Sequence, residues 1–178
     1  MTQELIDLRN SILEGRYTDA LAIVDDLEEM GKQTILRNIQ SFILRMLMHL
    51  IKNQVEQRLT NSWAASISDS IRQIKKLNLK DNKKSYYIKE YEWKILLEDE
   101  IDAAIEAASV EACDGAYNWF QLSEMVDREQ VMETAQNLLN LTYNYSVKDL
   151  TTVINDYFTQ LPGGEDWKEK RKIQVRLN

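Results

Sequence analysis

Five glycines and one proline are spread over 178 residues, and this scarcity limits the fold more than any other feature of the chain. Tight hairpins and phosphate-cradling loops draw on Gly and Pro at positions other residues tolerate poorly. A chain this short of both has little material for a many-stranded sheet or a P-loop, which leaves long helices. The single cysteine, Cys113, excludes an internal disulfide framework and Cys-based zinc motifs. The single histidine, His49, excludes a His₂ or His₃ metal centre. The length fits one helical domain over residues 1–178, with enough core to fold without metal or disulfide staples.

The N-terminus has no basic segment followed by an apolar stretch and a small-residue cleavage site. The strongest apolar run, Phe42 to Ile51, is ten residues long and contains Arg45 and His49. A membrane span needs about 20 apolar residues, so the run is expected to be core. No membrane association and a cytoplasmic location, where a lone thiol stays reduced, are the expectations.

Hydrophobic periodicity places a first helix over 4–14, ended by Gly15, and a second over 18–30, capped by Thr18 and closed by Gly31. The junction from Gly15 to Leu21 resembles a tetratricopeptide turn, but no second copy occurs at the required offset of about 34 residues. A third helix over 32–57 carries a wide apolar face from Ile35 to Val55, and at about 100° per residue Asn38, Ser41, Arg45, His49, Lys52 and Glu56 form one polar stripe. A fourth helix is expected over 62–78, capped by Thr60, Asn61 or Ser62. After a polar loop comes a fifth over 85–113, with Trp93, Leu97, Ile101, Ala104, Ile105 and Ala108 facing inward. Residues 116–120 read as a packed aromatic turn. Asp127 and Ser146 each open a capping signature for helices six and seven, the seventh stopped by Pro162-Gly163-Gly164. The tail over 165–178 reads as a short helix or an ordered arm. The expected fold is an all-α bundle of six or seven mostly antiparallel helices around a long apolar central one.

Charge is distributed in blocks. Residues 51–90 hold nine basic and four acidic side chains, net +5, and residues 91–135 hold two basic and twelve acidic ones, net −10. The expectation is that these neighbouring blocks pair across a bundle surface, each exposed pair worth about 0–1 kcal/mol.

The segments Asp26-Leu27-Glu28-Glu29-Met30-Gly31, Leu47-Met48-His49-Leu50-Ile51-Lys52 and Asn61-Ser62-Trp63, followed by Ser66-Ile67 and Arg72-Gln73-Ile74, resemble a bacterial, mainly cyanobacterial family, the domain of unknown function twenty-nine. The resemblance covers roughly residues 8 to 112. It implies an all-helical fold and carries no activity. Gln54 keeps the family pattern and Asn53 replaces an aromatic. Residues 1–114 read as the family-like core and 115–178 as additional helices.

His49, flanked by Arg45 and Lys52 on the polar stripe, reads first as a structural histidine and second as part of a polar binding seam with Arg45, Lys52, Arg58 and Trp63. Three cations and a neutral imidazole suit an anionic ligand better than a metal. No catalytic residue, metal ligand or cofactor site is assigned. The chain lacks the Glu-x-x-His pairs of a di-iron bundle and the Gly-x-Ser-x-Gly motif. Cys113 follows an acidic helix end, which works against a reactive thiolate. The first functional reading is a non-catalytic module that binds a protein partner or its own copy, motivated by the apolar breadth of helix three and the amphipathic helix seven. A small anionic-ligand or enzymatic site on the seam is a second. Nucleic-acid binding through the basic 51–90 region, joined by Lys168 to Lys172, is a third.

Overall fold

In the computed structural model the described residues are 1–169, and they form seven α-helices, three short 3₁₀ turns and one isolated antiparallel bridge between Leu79 and Tyr86. The helices are α1 (Gln3–Leu13), α2 (Tyr17–Glu56), α3 (Asn61–Asn78), α4 (Trp93–Ser109), α5 (Trp119–Met125), α6 (Arg128–Asn144) and α7 (Val147–Tyr157). This is the expected all-α bundle. The chain divides into two compact units, Met1–Asn38 and the residues from Ile39 onward.

The first unit is α1, a tight turn and the first part of α2. Gly15 takes φ +73°, a left-handed conformation that costs a glycine little, and the Arg16 N–H donates to Ser11 O at 2.8 Å to close the turn. Ser11 and Ala20, equidistant from that turn, are its buried side chains. Gly31 was expected to end a helix at Met30. It does not: α2 runs unbroken for 40 residues. A glycine inside a helix costs only about 1 kcal/mol, and helix formers on both sides carry the ladder across it.

The second unit holds the core. Ile39, Ile43, Met46, Leu47 and Ile51 of α2 are fully buried, as are Ile67, Ile71 and Ile74 of α3 and Trp93, Leu97 and Ile105 of α4. Helix α3 packs on α6 and α7, and α4 packs on α5 and α6. The α3 cap is Thr60, whose hydroxyl accepts the Trp63 N–H at 3.1 Å. Asp127 and Ser146 cap α6 and α7 as expected. Gln54 of α2 completes the α6 cap, its side-chain oxygen accepting the Asp127 N–H and its amide donating to Gln130.

Two expected boundaries move. The helix expected from Ser85 starts at Trp93, because Asn78 pins Ile88 by both backbone groups and Tyr143 donates to Ile88 O, holding residues 85–89 out of the helix. It ends at Ser109, short of Cys113. The expected turn over 116–120 contains the start of α5, capped reciprocally by Asn118 and Gln121. The Pro162-Gly163-Gly164 stop fits the structure closely. A Cβ on Gly164 would sit 1.9 Å from Phe158 O, and one on Gly163 would sit 2.6 Å from Arg58 Cα. The tail expected as a helix or arm is described only to Glu169, where 167–169 are helical; Lys170, Arg171 and Lys172 of the second basic patch lie outside the described residues.

Candidate functional site

The polar stripe of α2 lies along a seam between α2, α3 and the segment after α4. Arg45 turns to α3, where its Nε donates to Ser70 Oγ at 2.8 Å and its Nη2 pairs with Asp69 at 2.5 Å. One helical turn on, His49 is 8% exposed and its Nδ1 is buried with no hydrogen-bond partner among the described residues. Lys52, its side chain 6% exposed, pairs with Glu111 at 2.5 Å. Glu56 accepts the backbone N–H of Cys113 at 2.8 Å and pairs with Arg58 at 2.5 Å. Lys52 Nζ and Arg58 Cζ each approach to 4.8 Å from the Trp63 ring centre, the distance of a cation–π contact.

The sequence-selected residues thus separate into parts. Lys52, Arg58 and Trp63 meet directly, His49 lies beside Lys52, and Arg45 faces a different pair of residues on α3. Each of the three cations is matched by a carboxylate of the chain itself: Asp69, Glu111 or Glu56. Those partners set the charges. Arg45 holds Asp69 below its usual carboxylate range by hydrogen bonding, and Lys52 does the same to Glu111. Burial pushes Glu56 up, but the Cys113 N–H and Arg58 outweigh it and leave its carboxyl low. Burial first, and then the positive charge of Lys52 and Arg45, push His49 down to about 4 against a smaller opposing pull from Glu111. At neutral pH the imidazole is therefore uncharged.

Glu56 also anchors a strained turn. Cys113 (φ 51°), Asp114 (φ 57°) and Gly115 (φ 71°) are left-handed in succession, and the two non-glycine residues each cost roughly 1–2 kcal/mol there. Asp69, Ser70 and Glu111 were absent from the sequence-selected set. Their distance along the chain from Arg45 and Lys52 hides the pairing, and only the fold brings them together. One basic residue counted toward a nucleic-acid surface is in fact core: Lys75 is buried, and its ammonium donates to Thr142 O.

Among the described residues the charge blocks pair more within themselves than with one another, contrary to expectation. Lys52–Glu111 bridges them, whereas Arg72–Asp69, Lys94–Glu98 and Arg128–Asp102 each close inside their own block. For Arg72–Asp69 and Lys94–Glu98 the reason is local geometry, since side chains three or four residues apart on a helix are already neighbours; Arg128–Asp102 instead joins α6 to α4.

Two further features stand out. Adjoining hollows of about 270 and 240 Å³ share Thr151, Asn155 and Trp167, with Arg72 and Lys168 on their walls. Trp167 is fixed there by its N–H on Asn155 at 3.1 Å, and Lys168 is paired with Asp156 at 2.9 Å. The aromatic residue following Pro162-Gly163-Gly164 was the available sequence signal for this feature. In the first unit, Met1, Leu5, Ile12, Leu13, Tyr17, Leu21 and Met30 are large apolar side chains exposed to solvent.

Among the described residues no three His, Cys, Asp or Glu side chains converge to hold a metal ion, and no helix is long and apolar enough to cross a membrane. Neither a curated protein nor a solved structure matches the chain. A family model does match, over residues 5–135, which extends the likeness past Asp114 through α5 and into α6. The segment expected to be particular to this chain therefore begins later than the resemblance implied. The description of that model is a domain of unknown function, DUF29, and the chain belongs to this family.

Proposed function

We propose that this chain is a non-catalytic interaction module whose docking surface is the helix pair of residues 1–38. The observation that carries the reading is the distribution of exposed apolar side chains. Among the described residues, seven of the fourteen large ones lie in those 38 residues: Leu13 is 73% exposed, Leu21 65% and Met30 57%. Scattered surface apolar residues are ordinary, but a concentration of them marks a site that another surface covers. The apolar breadth of 32–57 supports the reading less than it did in the sequence, because Ile39, Ile43, Met46, Leu47 and Ile51 are spent on the core. The same holds for α7, where Leu150 and Ile154 are buried.

A small-anion site on the seam draws less support, since Asp69, Glu111 and Glu56 already occupy its cations. Nucleic-acid binding loses Lys75 to the core. The test combines sedimentation velocity with capture from native extract, using the chain as it is and the triple variant Leu13→Glu, Leu21→Glu, Met30→Glu. The reading expects a complex, with itself or a partner, that the variant abolishes at unchanged helical circular dichroism. A monodisperse monomer that retains no partner, or retention equal in the variant, overturns it.

A further inference from the structure

We infer that the occupant of the 1–38 helix pair is a basic amphipathic helix of a partner protein; the inference rests on the docking reading above. On α2, at about 100° per residue, Val24, Leu27, Met30 and Gly31 share one stripe, and the sequence sets a carboxylate on each edge of it: Asp26 beside Met30 and Glu28 beside Leu21. Asp25, Asp26, Glu28 and Glu29 are all exposed, as are Leu21 and Met30, while Val24 and Leu27 are half-buried. On α1, Leu5 and Ile12 are exposed seven residues apart on one face.

Charge selects the occupant. Residues 1–38 carry eight acidic and four basic side chains, net −4. Of these, Arg16 is already held between Glu14 at 2.8 Å and Asp19 at 2.7 Å. A second copy seated on this surface would bring like-charged rims together, and an acidic partner would do the same. A helix with an apolar face and Lys or Arg on its flanks puts opposite charge at both rims. Helix-in-groove recognition works in this way, with apolar anchors supplying affinity and rim charges excluding wrong partners. An α1-length partner helix of about three turns, roughly 16 Å, is sufficient.

The experiment is fluorescence anisotropy of the full chain with two labelled 14-residue helical peptides of identical Leu face, one flanked by Lys and one by Glu. The Lys peptide is expected to bind at least tenfold more tightly, with affinity falling as salt rises from about 50 to 300 mM. Asp26→Lys with Glu28→Lys is expected to reverse the preference. Glu98→Lys with Asp99→Lys, the same charge change on exposed α4 positions, leaves it intact. Equal binding of both peptides, preference for the Glu peptide, or an equal loss in the α4 control overturns the inference. A concentration-dependent dimer abolished by Leu21→Glu with Met30→Glu also overturns it, while preserving the docking reading. Binding of neither peptide also overturns the inference, and the docking reading falls with it only if the chain is monomeric and captures no partner from extract.

Discussion

At the scale of single residues, the account turns on a buried imidazole among cations. His49 has a folded pKa of about 4 against an ordinary value of 6.5, so the unfolded chain binds its proton first. Stability is then fully present above about pH 6.5 and falls as pH drops toward 4, by about 3 kcal/mol in all. His49→Leu removes both that proton and the unpartnered Nδ1. We expect it to leave stability at pH 7.5 unchanged or raised and to flatten the loss between pH 6.5 and 4.5, measured by urea midpoints; an acid limb as steep as in the unaltered chain contradicts the assignment. The Lys52–Glu111 pair predicts an asymmetry. Glu111→Gln strands a buried ammonium and is expected to cost about 1–3 kcal/mol. Lys52→Met removes the charge itself and is expected to cost less. The reverse order in chemical denaturation counts against burial of the ammonium as the dominant cost. Sequence alone exposed half of this. A helical wheel puts Arg45, His49 and Lys52 on one stripe, but Asp69 and Glu111 lie 24 and 59 residues from their partners. No local pattern encodes such a pairing.

At the scale of elements, short-range chemistry explains both the successes and the errors. Caps at Thr60, Asp127 and Ser146 were legible because an N-cap bond joins residues three apart. The start of α4 was not, because what holds residues 85–89 out of the helix is Asn78 and Tyr143, ten and fifty-five residues from Ile88. Gly31 misled because glycine in a helix is disfavoured without being forbidden. Two substitutions test this contrast. Gly31→Ala meets no atom within 4 Å and is expected to stabilise the first unit by about 1 kcal/mol, read from slowed amide exchange over residues 20–36. Faster exchange there supports a chain break at Gly31. Gly164→Ala drives a Cβ into Phe158 O and is expected to cost more than about 2 kcal/mol, seen as a lowered urea midpoint; an unchanged midpoint contradicts the close approach.

At the scale of the whole molecule, apolar surface is divided unevenly. The fully buried large aliphatic side chains, among them Ile43, Leu47, Ile71 and Ile105, all lie from Ile39 onward, while residues 1–38 leave theirs half-buried or exposed. The scarcity of Gly and Pro sufficed to read the helical class, but not this partition, because a helical pattern gives the apolar face and not what covers it. The most direct measurement is hydrogen–deuterium exchange along the full chain, with and without a saturating concentration of the Lys-flanked peptide. The account predicts that residues 3–38 exchange fastest in the free chain, and that added protection on binding concentrates there. Protection confined to residues 39–169, or saturating binding with no protection over 3–38, contradicts it.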